Sequence, residues 1–230
     1  MKVKLPNKLI VLKNPDKKFH EAWNDSRNML NIPHPFRCLA LGPPNSGKTN
    51  VVENLLLREN PPFEEVVVIH CDGEYTKEYD DVSDELEILS EIPAPEDWEG
   101  KVKTLVVLDE LEYKNMNKDQ KRNLDRLFGY VSTHKNISII LCSQDFHETP
   151  AIVRRCSNLF ILWKSPDLNN MAMCARKTGI SAEGFRNLFK LCSDTKDSIW
   201  IDLTDKSPYH LRKNGYTIIN KKDDTKVEID

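Results

Sequence analysis

Cys38-Leu-Ala-Leu-Gly42-Pro-Pro-Asn-Ser-Gly47-Lys48-Thr49 is the stretch on which the reading of this chain turns. A short apolar run leads into a segment that matches G-x-x-x-x-G-K-[ST] in full, and Val52, Leu55 and Leu56 then fall on one face of a helix. Strand, glycine-bearing turn and helix in that order form a phosphate-binding loop. Gly42 and Gly47, two of only eight glycines in the chain, let the backbone curl so that amide N–H groups point at a β-phosphate. The helix N-terminus adds its positive dipole end. Lys48 is expected to contact the β- and γ-phosphates and the Thr49 hydroxyl to coordinate Mg²⁺. Pro43, Pro44, Asn45, Ser46 and Asn50 complete the segment expected to touch the nucleotide.

Outward from this loop, apolar runs recur at Cys38–Leu41, Val66–Ile69, Leu105–Leu108, Ile137–Cys142 and Leu159–Leu162. Runs of this length, apolar on both faces, fit strands buried in a parallel sheet. Between them lie helical stripes: Leu124, Leu127, Phe128 and Val131; Leu168, Met171, Ala172 and Ala175; Phe185, Leu188, Phe189 and Cys192. Such alternation predicts an α/β domain, a mainly parallel sheet with helices on both faces. Ile199–Leu203 and Tyr216–Ile219 are expected to extend the sheet. One domain is expected over residues 1–220, with its core at about 36–220 behind an N-terminal extension over 1–35. Residues 221–230 form a polar tail.

The second acidic motif is Thr104-Leu-Val-Val-Leu-Asp109-Glu110, an apolar strand ending in two carboxylates. Asp109 at the strand tip can hold the metal, as a Walker B aspartate does. Glu110 points elsewhere and can polarise an attacking water as general base, with Glu112 a lesser rival. The strand Ile137–Cys142 ends in Ser143-Gln144, and the Gln144 amide can both donate to a γ-phosphate and accept from water. Arg154 and Arg155 follow; either could reach a neighbouring subunit's γ-phosphate, and surface ion pairs or DNA contacts are equally open to them.

The chain has 230 residues and a formal charge of −3, with 39% apolar and 30% charged residues. No apolar run approaches the ~18 residues a membrane-spanning helix needs, and the start resembles no signal peptide. Six cysteines, at 38, 71, 142, 156, 174 and 192, include no C-x-x-C pair, which favours reduced, largely buried thiols over a zinc site. Charge is unevenly spread. Asp72 to Glu99 holds 12 acidic residues against Lys77 alone, leaving 32 basic and 24 acidic residues elsewhere. A basic surface for a polyanion is one reading of that polarity. Its local candidates are Tyr113–Asn136, with six basic residues, and the pair Arg212 and Lys213.

Taken together, Gly42-Pro-Pro-Asn-Ser-Gly-Lys-Thr-Asn50, Leu105-Val-Val-Leu-Asp-Glu110, Tyr130-Val-Ser-Thr-His-Lys-Asn-Ile-Ser-Ile-Ile-Leu-Cys-Ser-Gln144 and Val153-Arg-Arg-Cys-Ser-Asn158 resemble the genome-packaging ATPases of large DNA viruses. These belong to the FtsK–HerA group of P-loop DNA translocases. The resemblance runs from about Phe36 to Tyr216, and the segment ending at Gln144 is its specific part. It implies a RecA-like core, ATP and Mg²⁺, and a homo-oligomeric ring, pentameric or hexameric, around double-stranded DNA. Hydrolysis would drive DNA into a capsid, with Gln144 as sensor and an arginine acting between subunits. Capsid vertex proteins are the implied partners, and the host cytoplasm, viral factory or virion the implied location.

Other P-loop classes leave weaker marks. A GTPase would use Asp97-Trp-Glu-Gly100 as D-x-x-G and Asn220-Lys-Lys-Asp223 as N-K-x-D, but the first follows a proline-rich loop and the second sits in the tail. A small-molecule kinase needs no Glu110 and Gln144 pair. A protein-remodelling ATPase would need a helical lid after Leu162. A nucleotide-dependent scaffold would not need Lys48, Asp109 and Glu110 all intact.

Overall fold

A computed structural model describes residues 27, 30–59, 61–70, 79, 86–207 and 210–219. In chain order the elements are β1 (Arg37–Leu41), α1 (Lys48–Arg58), β2 (Glu65–His70), β3 (Glu87–Leu89), β4 (Thr104–Asp109) and α2 (Lys118–Arg126). A π-helical turn at Leu127–Val131 and α3 (Ser132–His134) lead to β5 (Ile137–Ser143), α4 (Ala151–Cys156), β6 (Leu159–Trp163) and α5 (Leu168–Thr178). The chain continues through α6 (Ala182–Lys190), β7 (Ser198–Asp202), β8 (Leu211–Lys213) and β9 (Thr217–Ile218).

The strands form one sheet in the order β3-β2-β4-β5-β1-β6-β7-β8-β9. Pairings from β3 across to β6 are parallel, and β6–β7, β7–β8 and β8–β9 are antiparallel. The five buried strands read from the sequence are present, and each alternates its side chains between two cores. Leu39, Leu41, Val106, Leu108, Ile139 and Leu141 face one core, closed by Leu124, Phe128, Val153, Phe185 and Leu188 from α2, the π turn, α4 and α6. Cys38, Ala40, Leu105, Val107, Ile140 and Cys142 face the other, closed by Val52 and Leu55 of α1 and by Ile32 and Phe36. Burial on both faces explains why these strands lack polar alternation.

Two short strands escaped the sequence reading. β3 carries an exposed Glu87 within a polar acidic context, and β8 consists of Leu211, Arg212 and Lys213. The basic pair is therefore structural: Arg212 is 2% exposed and donates to the Leu30 carbonyl, and Lys213 pairs with Asp197 at 2.8 Å. Neither is open to a polyanion, which corrects that expectation. The stripe through Leu124, Leu127, Phe128 and Val131 is fully buried, although its second half winds as a π turn instead of a regular helix.

Candidate functional site

The phosphate loop follows β1 at the C-terminal edge of the sheet. Gly42 N donates to Ser143 O at 3.1 Å, tying the loop to the tip of β5. A Cβ on Gly42 would lie 2.6 Å from Ser46 Oγ and 3.0 Å from the Trp163 side chain, so no larger residue fits there. Asn45 (φ 60°) and Gly47 (φ 100°) take the left-handed conformations that turn the backbone, and Ser46 N donates to Pro43 O at 3.3 Å.

α1 begins without a side-chain cap. Its N-cap residue is Gly47, whereas Asn117, Asp167 and Ser181 each cap their helices by accepting from backbone amides. The first N–H groups of α1 therefore remain free to bind an anion. Lys48 Nζ rests on the Gly42 and Pro43 carbonyls at 3.0 and 3.1 Å. Thr49 is half-buried in the first turn, Pro44 and Asn45 are exposed in the loop, and Asn50 is exposed on α1.

A cleft of about 450 Å³ opens beside Lys48, lined by Asp109, Glu110, Ser143 and Gln144 among others. Three adjacent strands bring these residues together: β1 leads to Lys48, β4 ends in Asp109, and β5 ends at Ser143. Asp109 is 8% exposed; its Oδ2 accepts from Tyr79 Oη at 2.7 Å and its Oδ1 from Glu110 N at 3.1 Å. Glu110 turns away with φ 49°, a conformation that costs a non-glycine residue on the order of 1 kcal/mol. That turn leaves its side chain 65% exposed, 3.6 Å from His70 Nε2 at the tip of β2. Gln144 is exposed and makes no hydrogen bond among the described residues. Beneath them Cys142 is fully buried, and burial, reinforced by nearby Asp109, pushes its thiol well above the usual range. The floor stays neutral while the rim carries the charge.

Among the described residues no three His, Cys, Asp or Glu side chains converge on a common point. A divalent ion here would depend on Asp109, the Thr49 hydroxyl and a ligand's own oxygens, a hard-oxygen set that suits Mg²⁺.

Arg154 and Arg155 do not line this cleft. With Arg176 and Lys177 they surround a separate hollow of about 460 Å³ floored by Phe146, Ala151 and Met173. The Arg154 guanidinium sits 5.4 Å from the Phe146 ring centre. In the segment expected to be basic, Lys114 is paired with Glu148 at 2.5 Å and Lys121 lies over the Tyr113 ring at 5.2 Å. Asp97, the first half of the GTPase reading, caps its own turn by accepting from Ala94 N at 3.0 Å, and Asn220–Asp223 lies outside the described residues.

Tyr79 and His70 were not singled out in the sequence. Tyr79 lies in an acidic stretch that gives no hint of a partner 30 residues away. His70 did leave a signal: it is the polar residue ending an apolar run, in register with Asp109.

No family model matches the chain, and no curated relative matches it. Its fold is similar to solved structures. The genome-packaging NTPase B204 of Sulfolobus turreted icosahedral virus 2, in complex with AMPPCP, superposes with a TM-score of 0.56 at 16% identity over 78% of this chain and 97% of that one. The B204 DNA-packaging ATPase of Sulfolobus turreted icosahedral virus gives 0.56 at 16% identity over 76% and 95%. The pCW3 conjugation coupling protein TcpA, with ATPγS, gives 0.51 at 13% identity over 82% and 62%. At these identities the likeness establishes the fold, an α/β RecA-like P-loop core.

Proposed function

We propose that this chain is a Mg²⁺-dependent ATPase that drives double-stranded DNA into a viral capsid as a homo-oligomeric ring of five or six copies. The observation that carries the reading is the meeting of Lys48, Asp109, Glu110 and Gln144 in one cleft beside an uncapped helix N-terminus. The likeness to packaging and coupling proteins of the same fold supports the DNA-handling part.

In this reading the free amides of Gly47, Lys48 and Thr49 and the Lys48 ammonium hold the β- and γ-phosphates. Pro43 to Ser46 shape the loop and Asn50 flanks it. Asp109 and Thr49 would hold the Mg²⁺, which when bound neutralises charge on the phosphate oxygens. Glu110, already turned toward the solvent side of the cleft, accepts a proton from the attacking water. Gln144 donates to the γ-phosphate and accepts from the same water, fixing its line of approach. Arg154 and Arg155, outside their own subunit's cleft, would stabilise transition-state charge in a neighbour's site. Capsid vertex proteins would anchor the ring, in the host cytoplasm or viral factory. Among the described residues no helix is long and apolar enough to cross a membrane.

The test is steady-state ATP hydrolysis with and without long duplex DNA over a range of protein concentrations. Turnover stimulated by DNA and rising steeply with concentration supports the motor. Turnover indifferent to both sinks it and favours a monomeric NTPase.

A further inference from the structure

β4 alternates its side chains between the two cores, and the alternation carries through to its tip. Leu105 and Val107 face the core closed by α1, so Asp109, two residues on, leaves the strand on that same side. It is a carboxylate at the upper boundary of an apolar layer, 8% exposed. Tyr79 belongs to the same layer. Its ring is 2% exposed and clusters with Val68, Leu105 and Val107, and its hydroxyl donates to Asp109 Oδ2 at 2.7 Å.

Asp109 is held by neutral donors. The Tyr79 phenol takes one oxygen and the Glu110 amide, at 3.1 Å, takes the other. Among the described residues no Lys, Arg or His nitrogen lies within 4.0 Å of this carboxylate. Other buried acids of the fold are treated differently: Glu59 has Lys103, Asp197 has Lys213 and Asp202 has Arg27. Burying a carboxylate without a counter-charge is costly, and at Asp109 the protein supplies dipoles in place of a cation.

The identity of the donor matters for what the carboxylate can still do. A lysine or arginine in place of Tyr79 would neutralise Asp109 and compete with a metal ion for it, and a second carboxylate would repel it. A phenol does neither. An ionised carboxylate offers about four lone-pair sites, so one hydrogen bond to each oxygen fixes the rotamer and leaves further acceptor capacity and the full charge.

We propose that Tyr79 is a positioning residue for the metal site: its hydroxyl locks the Asp109 carboxylate in one orientation and thereby sets the affinity for Mg²⁺. The inference rests on the metal reading of Asp109 proposed above and adds to it the residue that tunes this ligand. Partners of metal ligands typically contribute about tenfold to a hundredfold in metal affinity. Tyr79 is suited to that role because it orients the ligand and spends none of its charge.

The experiment titrates Mg²⁺ into the full chain in the presence of a fluorescent, non-hydrolysable ATP analogue, and repeats the nucleotide titration in excess chelator. The variants are Tyr79→Phe, Asp109→Asn and the two combined. Tyr79→Phe should raise the Mg²⁺ concentration at half-saturation about tenfold to a hundredfold, with metal-free nucleotide binding unchanged. Because the effect passes through Asp109, Tyr79→Phe should add nothing once Asp109 is replaced by Asn. An unchanged Mg²⁺ midpoint in Tyr79→Phe overturns the proposal. Equal losses with and without metal, or equal losses in both Asp109 backgrounds, also overturn it and make Tyr79 a packing residue. Wild-type chain that binds the nucleotide but ignores Mg²⁺ overturns the metal reading of Asp109 and this inference with it, while the phosphate site stands.

Discussion

The two ends of the same sheet are built on opposite principles. At the N-terminal ends of the strands a set of polar side chains pairs across the sheet, although Arg37 Nε and Asn158 Nδ2 find no hydrogen-bond partner among the described residues. His34 Nε2 lies 3.0 Å from Asn136 Oδ1, which requires the proton on that nitrogen, so Nδ1 accepts from Ser138 Oγ at 2.7 Å. Ser138 Oγ also accepts from Phe36 N, Thr104 Oγ1 donates to Glu65 at 2.6 Å, and Lys103 joins Glu59 to the Pro61 carbonyl. At the C-terminal ends Asp109 and Ser143 are paired within the protein, but Lys48 meets only carbonyls of its own loop, α1 has no side-chain cap, and Glu110, 3.6 Å from His70, stands 65% exposed on a left-handed backbone. One end ties most of its polar side chains into the fold, and the other leaves Lys48, Gln144 and the first amides of α1 open for the proposed ligand.

That contrast can be broken at either end. The largest effect should come from Lys48→Ala, which should reduce ATP hydrolysis by about a thousandfold or more yet leave the melting temperature within about a degree, because Lys48 supports no contact outside its loop. A large fall in melting temperature would show that the open end also holds the fold together. Glu110→Gln comes next: turnover should drop roughly a hundredfold to ten-thousandfold while ATP binding, followed by a fluorescent analogue, survives. Loss of binding to the same extent would instead make Glu110 a structural residue.

At the closed end the effects should appear in stability and spare turnover at neutral pH. Burial, helped by the nearby Lys103 charge, lowers the His34 imidazole from 6.5 to about 4. The unfolded chain therefore takes up a proton below about pH 6.5 that the folded chain refuses until about pH 4. Stability should fall across that window by up to about 3 kcal/mol, levelling out where the folded imidazole also protonates. Urea midpoints at steps between pH 7 and 4 would reveal the slope, and His34→Gln should flatten it. Ser138→Ala, the smallest of these changes, should cost about 1–2 kcal/mol by removing the donor to His34 Nδ1 and the acceptor for Phe36 N, with no change in kcat.

The open end was also the legible end. Gly42, Lys48, Asp109 and Gln144 each sit at or just past the tip of an apolar run, so local sequence order fixes their place in space once the strands are parallel. The closed end left no such trace, because His34, Asn136 and Ser138 meet across about a hundred residues of chain and no local pattern records that pairing. β3 and β8 were missed for a related reason: three-residue strands with charged side chains earn their place from neighbours already in the sheet. Tyr79, which donates to the Asp109 carboxylate, and Lys196, which caps the loop, belong with them. Each reaches the site from a segment whose composition suggests only solvent.

The resting position of Lys48 bears on how fast such a site can cycle. Its ammonium already has two carbonyl acceptors, so an arriving phosphate exchanges contacts instead of adding them, and part of the attraction cancels. When product departs, the same two carbonyls stand ready to take the lysine back, and the loop need not pass through a state with a bare, stranded cation. In the proposed ATPase, that fallback would let the site release its product more readily than one whose charge has nowhere else to go.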